Sequence, residues 1–308
     1  MADDKNKNSI AGLWRNYDVD LDKIEALRTA CYDYARSHSD EVDLEDVRSR
    51  IDSPEDVANN NISSPGNWML KRFLIANHRD VDQALERFKE FFRFRKEYHV
   101  HKMTRLNILP REFYLLRPLD DEGFDQEGHR VLVIRLKYYK KIPQFDLIIR
   151  RAIIYFAEQH DLEYEKDNCK GIVLFFDCLD FRVSQLDLDL LKFAILTMPG
   201  HFAGLVRYIV VSDLPFLLSY VFKIVETWVP NDKNSPRKYL FQTTRKQLDN
   251  LITVEERPEF LNGKRTLDPT PPGDAKDIDT FLDDVEDMNP QNVKKISSYV
   301  KELVQSIK

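Results

Sequence analysis

Apolar and aromatic residues in the first third of the chain recur every three or four positions, which is the period of an α-helix. The pattern predicts short helices over Asp20–Ser37 and Asp40–Ile51, a polar loop over Asp56–Asn67, and longer helical segments over Trp68–Asn77 and Val81–His99. The apolar face of the last segment is rich in phenylalanine. We interpret that face as core packing, the usual fate of such side chains.

From Gly123 onward the pattern changes to strands that alternate with helices. Strands are predicted over Val131–Tyr139, Gly171–Asp177, Leu205–Ser212 and Tyr239–Thr243. Helices are predicted between and after them, over Leu147–Tyr164, Leu186–Met198 and Pro215–Val229. Such alternation favours parallel pairing through right-handed crossovers. The predicted fold class is therefore α/β, with an N-terminal helical subdomain followed by a mainly parallel sheet.

Composition along the chain suggests four segments. These are an acidic helical extension (1–64), a second helical region (65–105), the main α/β domain (106–265), and an acidic linker with a C-terminal amphipathic helix (266–308). The net charge of −6 divides into −7 for residues 1–64, +5 for 65–265 and −4 for 266–308. A charge of +5 spread over the middle is far below that of a dedicated nucleic-acid binder, so no nucleic-acid partner is expected.

The common signatures of catalysis and cofactor binding are missing from the sequence. No P-loop, dinucleotide fingerprint, zinc-protease or serine-hydrolase motif occurs, and the chain has only nine glycines. Asp177 and Asp180 follow a predicted strand but have no nucleophile or base beside them. Three cysteines without a CxxC pair favour a reducing, cytoplasmic setting. We expect no enzyme activity, no metal and no cofactor, and the polar start of the chain, 1–8, is not typical of a secretory signal.

The segment Pro215–Val229 is apolar on almost every side. Asp213 is its predicted N-cap, with Pro215 in the first turn. Two alternatives are open for this helix. Either it is buried all round, or it covers an apolar cavity and faces a bilayer when it moves.

Several segments, in the right order and spacing, resemble the CRAL-TRIO family of lipid-binding and lipid-transfer proteins from Trp68 to Gly263. They are Leu70–Leu74, Val81–Leu85, Phe94–Lys96, Asp125–Val131, Gly171–Asp177, Met198-Pro199 and Arg207–Phe216. The resemblance implies a parallel sheet that floors a lipid pocket, closed by a mobile gate helix at Pro215–Val229.

The resemblance also implies particular site residues. The lipid pocket is expected to contain Leu174, Phe176, Phe193, Leu196, Val210, Phe216, Leu217, Tyr220, Val221, Ile224, Val225 and Trp228. A headgroup phosphate is expected to meet Arg207, Lys233, Arg237 and Lys238, although the same positions also fit a solvated basic loop.

The expected function is therefore binding of a hydrophobic lipid in an internal pocket and its exchange or transfer at membranes, with recognition of a phosphoinositide headgroup. The alternative is an adaptor that uses the fold to recognise membranes or proteins without transferring lipid. The expected partners are a small hydrophobic lipid and the surface of a membrane. The expected location is the cytoplasm, with peripheral membrane association.

The acidic C-terminal segment offers two further interpretations. Residues 280–286 resemble the acidic motif that binds endoplasmic-reticulum tether proteins, but also fit a solvated acidic linker. The stripe of Val293, Ile296, Val300, Leu303, Val304 and Ile307 predicts a helix that docks on the protein, on a partner helix or on a membrane surface.

Overall fold

A computed structural model describes residues 19–52, 65–165, 170–229, 239–268, 270–285 and 287–306. The chain divides into two compact units. The first contains residues 1–102, 157–171 and 199–207, and the second contains 103–156, 172–198 and 208–308.

The described residues form a mixture of helices and strands. The α-helices are α1 (Leu21–Ser37), α2 (Leu44–Ile51), α3 (Pro65–Ala76), α4 (Val81–Glu97), α5 (Arg105–Ile108), α6 (Arg111–Leu116), α7 (Phe145–Glu165), α8 (Leu188–Lys192), α9 (Met198–His201), α10 (Ser219–Glu226), α11 (Ile278–Asp283) and α12 (Pro290–Gln305). The strands are β1 (Leu119–Phe124), β2 (Arg130–Arg135), β3 (Ile172–Asp177), β4 (Val206–Ser212) and β5 (Leu240–Thr243). Short 3-10 turns lie at Val100–Lys102, Leu136–Tyr138, Val183–Gln185, Phe216–Leu218, Arg245–Asn250 and Glu259–Leu261, and a π-helical turn at Phe193–Thr197 joins α8 to α9. No helix in these described ranges is long and apolar enough to cross a bilayer.

The first unit is built around the aromatic face of α4. The ring of Phe88 lies 4.6 Å from that of Phe92 and 5.1 Å from that of Phe73 on α3. All three side chains are at most 3% exposed, which confirms that the aromatic face is core. Helix α4 begins where the Asp80 carboxylate accepts a hydrogen bond from the Gln83 amide, an ordinary N-cap.

A buried group of charges lies beside this aromatic core. The guanidinium of Arg95 donates to both carboxylate oxygens of Asp46 at 2.7 Å and to Glu158 at 2.6 Å. Arg72 donates to Asp161 at 2.7 Å. Buried charges are tolerated because each is paired and hydrogen-bonded.

The second unit contains a five-stranded sheet in the order β1-β2-β3-β4-β5. Strand β1 pairs with β2 in the antiparallel sense, whereas β2 with β3 and β4 with β5 are parallel. The predicted strand Val131–Tyr139 is shorter in the structure, because β2 ends at Arg135 and a 3-10 turn follows. Strand β1 was not predicted, since it carries the acidic run Asp120–Glu122. Asp120 is buried there and forms an ion pair with Arg265.

The two faces of this sheet bury different sets of side chains. Val133 lies opposite Phe175 in the register of β2 and β3, and both belong to a core cluster with Leu248 and Leu261 from the later part of the chain. Alternation along β3 turns Phe176, the next residue, to the other face. That second face carries the candidate site.

The C-terminal helix α12 docks on the second unit of its own chain. Ile296 and Val300 are fully buried, and the ring of Tyr299 packs edge-on against Phe145 at 6.1 Å. Of the three predicted docking surfaces, the protein itself is the one that the structure shows. Phe281, in α11, is also buried, with 4% of its surface exposed.

Candidate functional site

A first cavity opens beside the end of β2. Its volume is about 610 Å³ when the open space at its mouth is included. It is lined by Pro118, Leu119, Ile134, Arg135, Leu136, Tyr138, Tyr139, Ile149, Ile153, Phe176, Phe181, Gln185, Asp187, Leu190, Leu191 and Ala194. A mostly apolar lining of this kind is typical of binding sites for small molecules.

Most polar side chains at this cavity form hydrogen bonds within the protein, although the buried Nε of Arg135 has no hydrogen-bond partner among the described residues. The Tyr139 hydroxyl donates to Asp187 at 2.8 Å, and Gln185 donates to the carbonyl oxygens of Lys137 at 3.0 Å and Tyr139 at 2.5 Å. Burial, together with the adjacent Asp187 carboxylate, raises the pKa of Tyr139, so its hydroxyl stays protonated. The wall therefore presents an apolar surface with few polar groups left to bind a ligand.

A second cavity of about 430 Å³, counted in the same way, adjoins the first. It is lined by Leu136, Phe176, Cys178, Phe181, Leu186, Leu191, Ile195, Val211, Leu214, Leu218, Val221, Phe222 and Val225. Four of these side chains also line the first cavity, namely Leu136, Phe176, Phe181 and Leu191. The two cavities therefore share part of their wall.

The segment predicted as the gate covers the second cavity. It consists of the 3-10 turn Phe216–Leu218 followed by α10, and its inward side places Leu218, Val221 and Val225 in the cavity wall. Its outward side is also apolar: Phe216 is 88% exposed, Leu217 71%, Tyr220 60% and Ile224 46%. Of the two alternatives left by the sequence, the segment covers a cavity and is not buried all round.

The segment does not begin with the predicted N-cap. Asp213 has a φ of 54° and its carboxylate accepts hydrogen bonds from the Arg245 guanidinium at 2.5 Å and the Ser212 hydroxyl at 2.7 Å. Arg245 also donates to Asp177, at the end of β3, at 2.7 Å. Asp213 does not cap the helix because its carboxylate pairs with Arg245, which also pairs with Asp177.

Comparison with known proteins identifies this part of the chain. Residues 122–263 match the CRAL/TRIO domain model. The chain contains a CRAL/TRIO domain. This CRAL/TRIO domain includes every cavity-lining residue except Pro118 and Leu119, together with the gate segment.

The CRAL/TRIO domain has relatives of known sequence and structure. The chain is 23% identical over 142 residues to phosphatidylinositol transfer protein CSR1 of Eremothecium gossypii, covering 46% of this chain and 32% of that protein. It is 26% identical over 168 residues to a CRAL-TRIO domain-containing protein of Schizosaccharomyces pombe, covering 52% of this chain and 38% of the relative. The matches thus span about a third of the length of these relatives. The fold is similar to that in the crystal structure of Sfh5, with a TM-score of 0.56 and 14% identity over 94% of this chain and 98% of the other.

The structure places three of the predicted pocket residues in the cavity walls: Phe176, Val221 and Val225. Leu174 is buried on the same sheet face as Phe176, two residues away along β3, but outside the lining. Val210 differs from the expectation, because it packs in the core cluster on the opposite face of the sheet.

The remaining predicted pocket residues lie outside both cavity walls. Phe193 is buried, with the Arg150 guanidinium 4.7 Å above its ring, and Leu196 and Trp228 are half-buried. The four outward side chains of the gate segment, Phe216, Leu217, Tyr220 and Ile224, were predicted inside the pocket and are exposed instead. They are exposed because the helix has one inward face, which Leu218, Val221 and Val225 already occupy.

Of the four predicted headgroup residues, Arg207 is the one that lies in the described part of the chain. Arg207 is 6% exposed and its Nε donates to the carbonyl oxygen of Lys170 at 2.8 Å. A Cβ on Gly171, which has a φ of 105°, would lie 2.5 Å from that nitrogen, so this position requires glycine. Lys233, Arg237 and Lys238 lie outside the described residues.

Sequence reasoning missed the residues that line both cavities apart from Phe176. Leu136 and Phe181 follow the ends of β2 and β3, at the edge where open α/β sheets place ligands. That rule could have indicated both residues. It was not applied to Leu136 because the sequence predicted one long strand through Tyr139. Leu191 carried no signal that separates it from ordinary helix core.

Proposed function

We propose that the chain holds the hydrocarbon part of a lipid in the two adjoining cavities and exchanges that lipid at membranes, without catalysing a reaction. The observation that carries the proposal is the gate segment. It walls the second cavity with Leu218, Val221 and Val225 while its other face exposes Phe216 and Leu217. A segment that is apolar on both sides suits a gate between an apolar cavity and a bilayer.

The lining supports a ligand that is mainly hydrocarbon. Each methylene transferred from water into an apolar cavity stabilises the complex by about 0.8 kcal/mol. Polar groups in the wall, such as Tyr139 and Gln185, already bond within the protein. The lipid chain therefore needs no polar partner in this part of the site.

The exposed face of the gate segment supports a membrane as the place of exchange. Burying one large apolar side chain is worth roughly 1.5–3 kcal/mol relative to leaving it in water. Inserting Phe216, Leu217 and Ile224 into a bilayer interface would regain that free energy and would pull on the segment that covers the cavity. The proposed location is accordingly the cytoplasm, with reversible attachment to membrane surfaces.

The name of one relative, phosphatidylinositol transfer protein CSR1, supports transfer of a phosphoinositide by this chain. Recognition of its headgroup by Lys233, Arg237 and Lys238 is part of the proposal, whereas Arg207 is held by its bond to Lys170. The segments between Trp68 and Gly263 that resemble the CRAL-TRIO family also look like the CRAL-TRIO half of motile sperm domain-containing protein 2. Kinship with that protein is part of the same proposal.

Two other roles are left out of the proposal for physical reasons. Cys178 lines the second cavity, but burial and the nearby carboxylates of Asp177 and Asp213 raise its pKa, so it is a thiol and a poor nucleophile. Binding of an endoplasmic-reticulum tether protein through residues 280–286 would require Phe281, which is buried in α11.

A substitution that fills the cavity can distinguish a lipid carrier from an adaptor that does not transfer lipid. Leu191 lines both cavities, so Leu191→Trp should occupy space that the lipid needs. We expect copurified lipid, detected by native mass spectrometry, in the parent protein and at least tenfold less in the variant. Transfer of labelled phosphatidylinositol between vesicles should fall in parallel.

The matched control is Leu106→Trp, since Leu106 is 40% exposed and lines neither cavity. Binding to vesicles should be retained by both variants. Absence of copurified lipid and of transfer in the parent protein, with vesicle binding intact, would instead establish the adaptor.

A further inference from the structure

A groove on the second unit lies between α12 and the segment that follows β2. Its volume is about 660 Å³ when the open space at its mouth is included. It is lined by Lys140, Ile142, Lys294, Lys295, Ser298, Tyr299 and Glu302. The helical half of this groove is outside the CRAL/TRIO domain match.

Within the described ranges, none of the three lysines of the groove has a carboxylate oxygen within 4.0 Å. Other lysines nearby in sequence do have partners: Lys276 pairs with Asp284, and Lys301 with Asp279. Three ammonium groups in one groove repel one another, and an anion bound between them would relieve that repulsion.

One glutamine links the two sides of the groove by hydrogen bonds. Gln144 has a φ of 69°, and its amide nitrogen donates to the carbonyl oxygen of Asp287 at 2.9 Å. The amide oxygen of Gln144 accepts from the backbone of Asn289 and from the side chain of Asn292, each at 2.9 Å. The start of α12 is thus fixed to the segment that carries Lys140, whose ammonium lies 4.9 Å from the ring centroid of Tyr299.

The remaining groups in the groove narrow the chemistry of the ligand. Compact ammonium groups bind phosphate oxygens as point charges. Glu302 accepts hydrogen bonds only, and the Ser298 hydroxyl both donates and accepts, so this pair suits ligand hydroxyl groups. Ile142, 7% exposed, and the Tyr299 ring offer apolar surface to a carbon skeleton.

We propose that this groove binds a phosphorylated polyol, with its phosphates on Lys140, Lys294 and Lys295 and its hydroxyls on Ser298 and Glu302. The groove uses different residues from the phosphate clamp predicted at Lys233 and Lys238. It does not depend on lipid carriage in the cavities. The polyol is either a soluble phosphate or the headgroup of a phosphoinositide, which share the same chemistry.

Calorimetric titration of the full chain with inositol hexakisphosphate tests the soluble source. Vesicles that contain phosphatidylinositol 4,5-bisphosphate test the lipid source, with phosphatidylserine vesicles of equal charge as the comparison. Each lysine near an anionic surface contributes roughly fivefold to binding, so the double change Lys294→Ala/Lys295→Ala should weaken binding at least tenfold. Lys192→Ala/Lys246→Ala removes the same charge from exposed positions outside the groove and should change binding less than twofold.

The site is supported if the parent protein binds inositol hexakisphosphate, or binds phosphoinositide vesicles more tightly than phosphatidylserine vesicles. In either case the binding must be lost when the groove lysines are replaced. The two arms show which source the groove takes. The proposal is overturned if neither probe binds, if equal-charge phosphatidylserine vesicles bind as well, or if Lys233→Ala/Lys238→Ala abolishes the binding while the groove variant retains it. Copurified lipid is measured in the same samples, so that a loss of binding at the groove can be distinguished from a loss of lipid from the cavities.

Discussion

The Tyr139 hydroxyl donates a hydrogen bond of 2.8 Å to the carboxylate of Asp187, and the same carboxylate caps the first turn of α8 by accepting from the amides of Asp189 and Leu190 at 3.1 Å. One side chain thus joins the segment after β2 to the helix that supplies Leu190 and Leu191 to the cavity. The hydrogen bond acts as a tie across the cavity wall.

Removing this tie should loosen the wall without unfolding the chain. Tyr139→Phe deletes the donor but leaves the capping bonds of Asp187, so we expect a loss of about 1 kcal/mol in the free energy of unfolding. Urea denaturation measures it, and copurified lipid should exchange faster. Tyr220→Phe is the control, since the exposed Tyr220 makes no hydrogen bond within the described chain, and its stability should be unchanged. Equal effects of the two changes would show that the tie is not used.

The exposed face of the gate segment should control membrane attachment. Phe216→Ser/Leu217→Ser removes two side chains that are 88% and 71% exposed, so folding stability should change by less than about 1 kcal/mol. Vesicle cosedimentation should fall at least tenfold, because the lost insertion energy is roughly 1.5–3 kcal/mol for each residue. Leu106→Ser/Leu115→Ser, at positions 40% and 37% exposed on α5 and α6, should bind vesicles as the parent does. Equal binding by all three proteins would contradict a role for this face.

The buried charges of the first unit should be costly to break. Asp161 receives hydrogen bonds from both Arg50 and Arg72, and all three side chains are at most 3% exposed. Burial acts to raise the pKa of Asp161, but the two guanidinium groups outweigh burial and hold the pKa below its ordinary value. Asp161→Asn should therefore destabilise the chain by about 3–5 kcal/mol, since it removes one charge of a buried group.

The urea midpoint measures that loss. Asp33→Asn breaks an exposed pair with Arg36, whose atoms are 3.4 Å apart, and should cost less than about 1 kcal/mol. Similar midpoints for the two variants would mean that the buried group contributes no more than a surface pair.

His201 should give the first unit a dependence on pH. Burial lowers the pKa of His201, which stacks on Phe94 at 4.1 Å between ring centroids. The unfolded chain therefore binds the proton more tightly, so stability falls as the pH drops below about 6.5 toward the folded pKa. The slope for one proton is at most about 1.4 kcal/mol per pH unit.

Replacing His201 by Phe should remove this contribution. Thermal midpoints at pH 7.5 and 5.5 should therefore differ less in His201→Phe than in the parent protein. His78→Asn, at an exposed position of φ 56° that asparagine tolerates, should retain the parent dependence. An unchanged pH profile in His201→Phe would refute the assignment.

Periodicity predicted the fold class and most of the helices and strands. It succeeded where one face or one run of residues is uniformly apolar, as on the phenylalanine face of α4 or in residues Ile172–Phe176 of β3. It failed at β1, because the buried Asp120 depends on Arg265, which lies far away in sequence. Local patterns contain no information about such a partner.

The site was less predictable than the fold. The family resemblance identified the gate segment, but which side of it faces inward depends on where the chain leaves β4, and Asp213 turns there to meet Arg245. For the same reason Val210 was assigned to the wrong face, since the phase of alternation along β4 is set by pairing with its neighbours. Neither fact is written in the local sequence.

The wall shared by the two cavities has a consequence for selectivity. Both cavities are lined by Leu136, Phe176, Phe181 and Leu191. Side chains change rotamer far more easily than backbone moves, so this shared wall can change shape while the fold stays the same. If the chain carries lipid as proposed, the rotamers of these four side chains would help to set the length and branching of the hydrocarbon that fits.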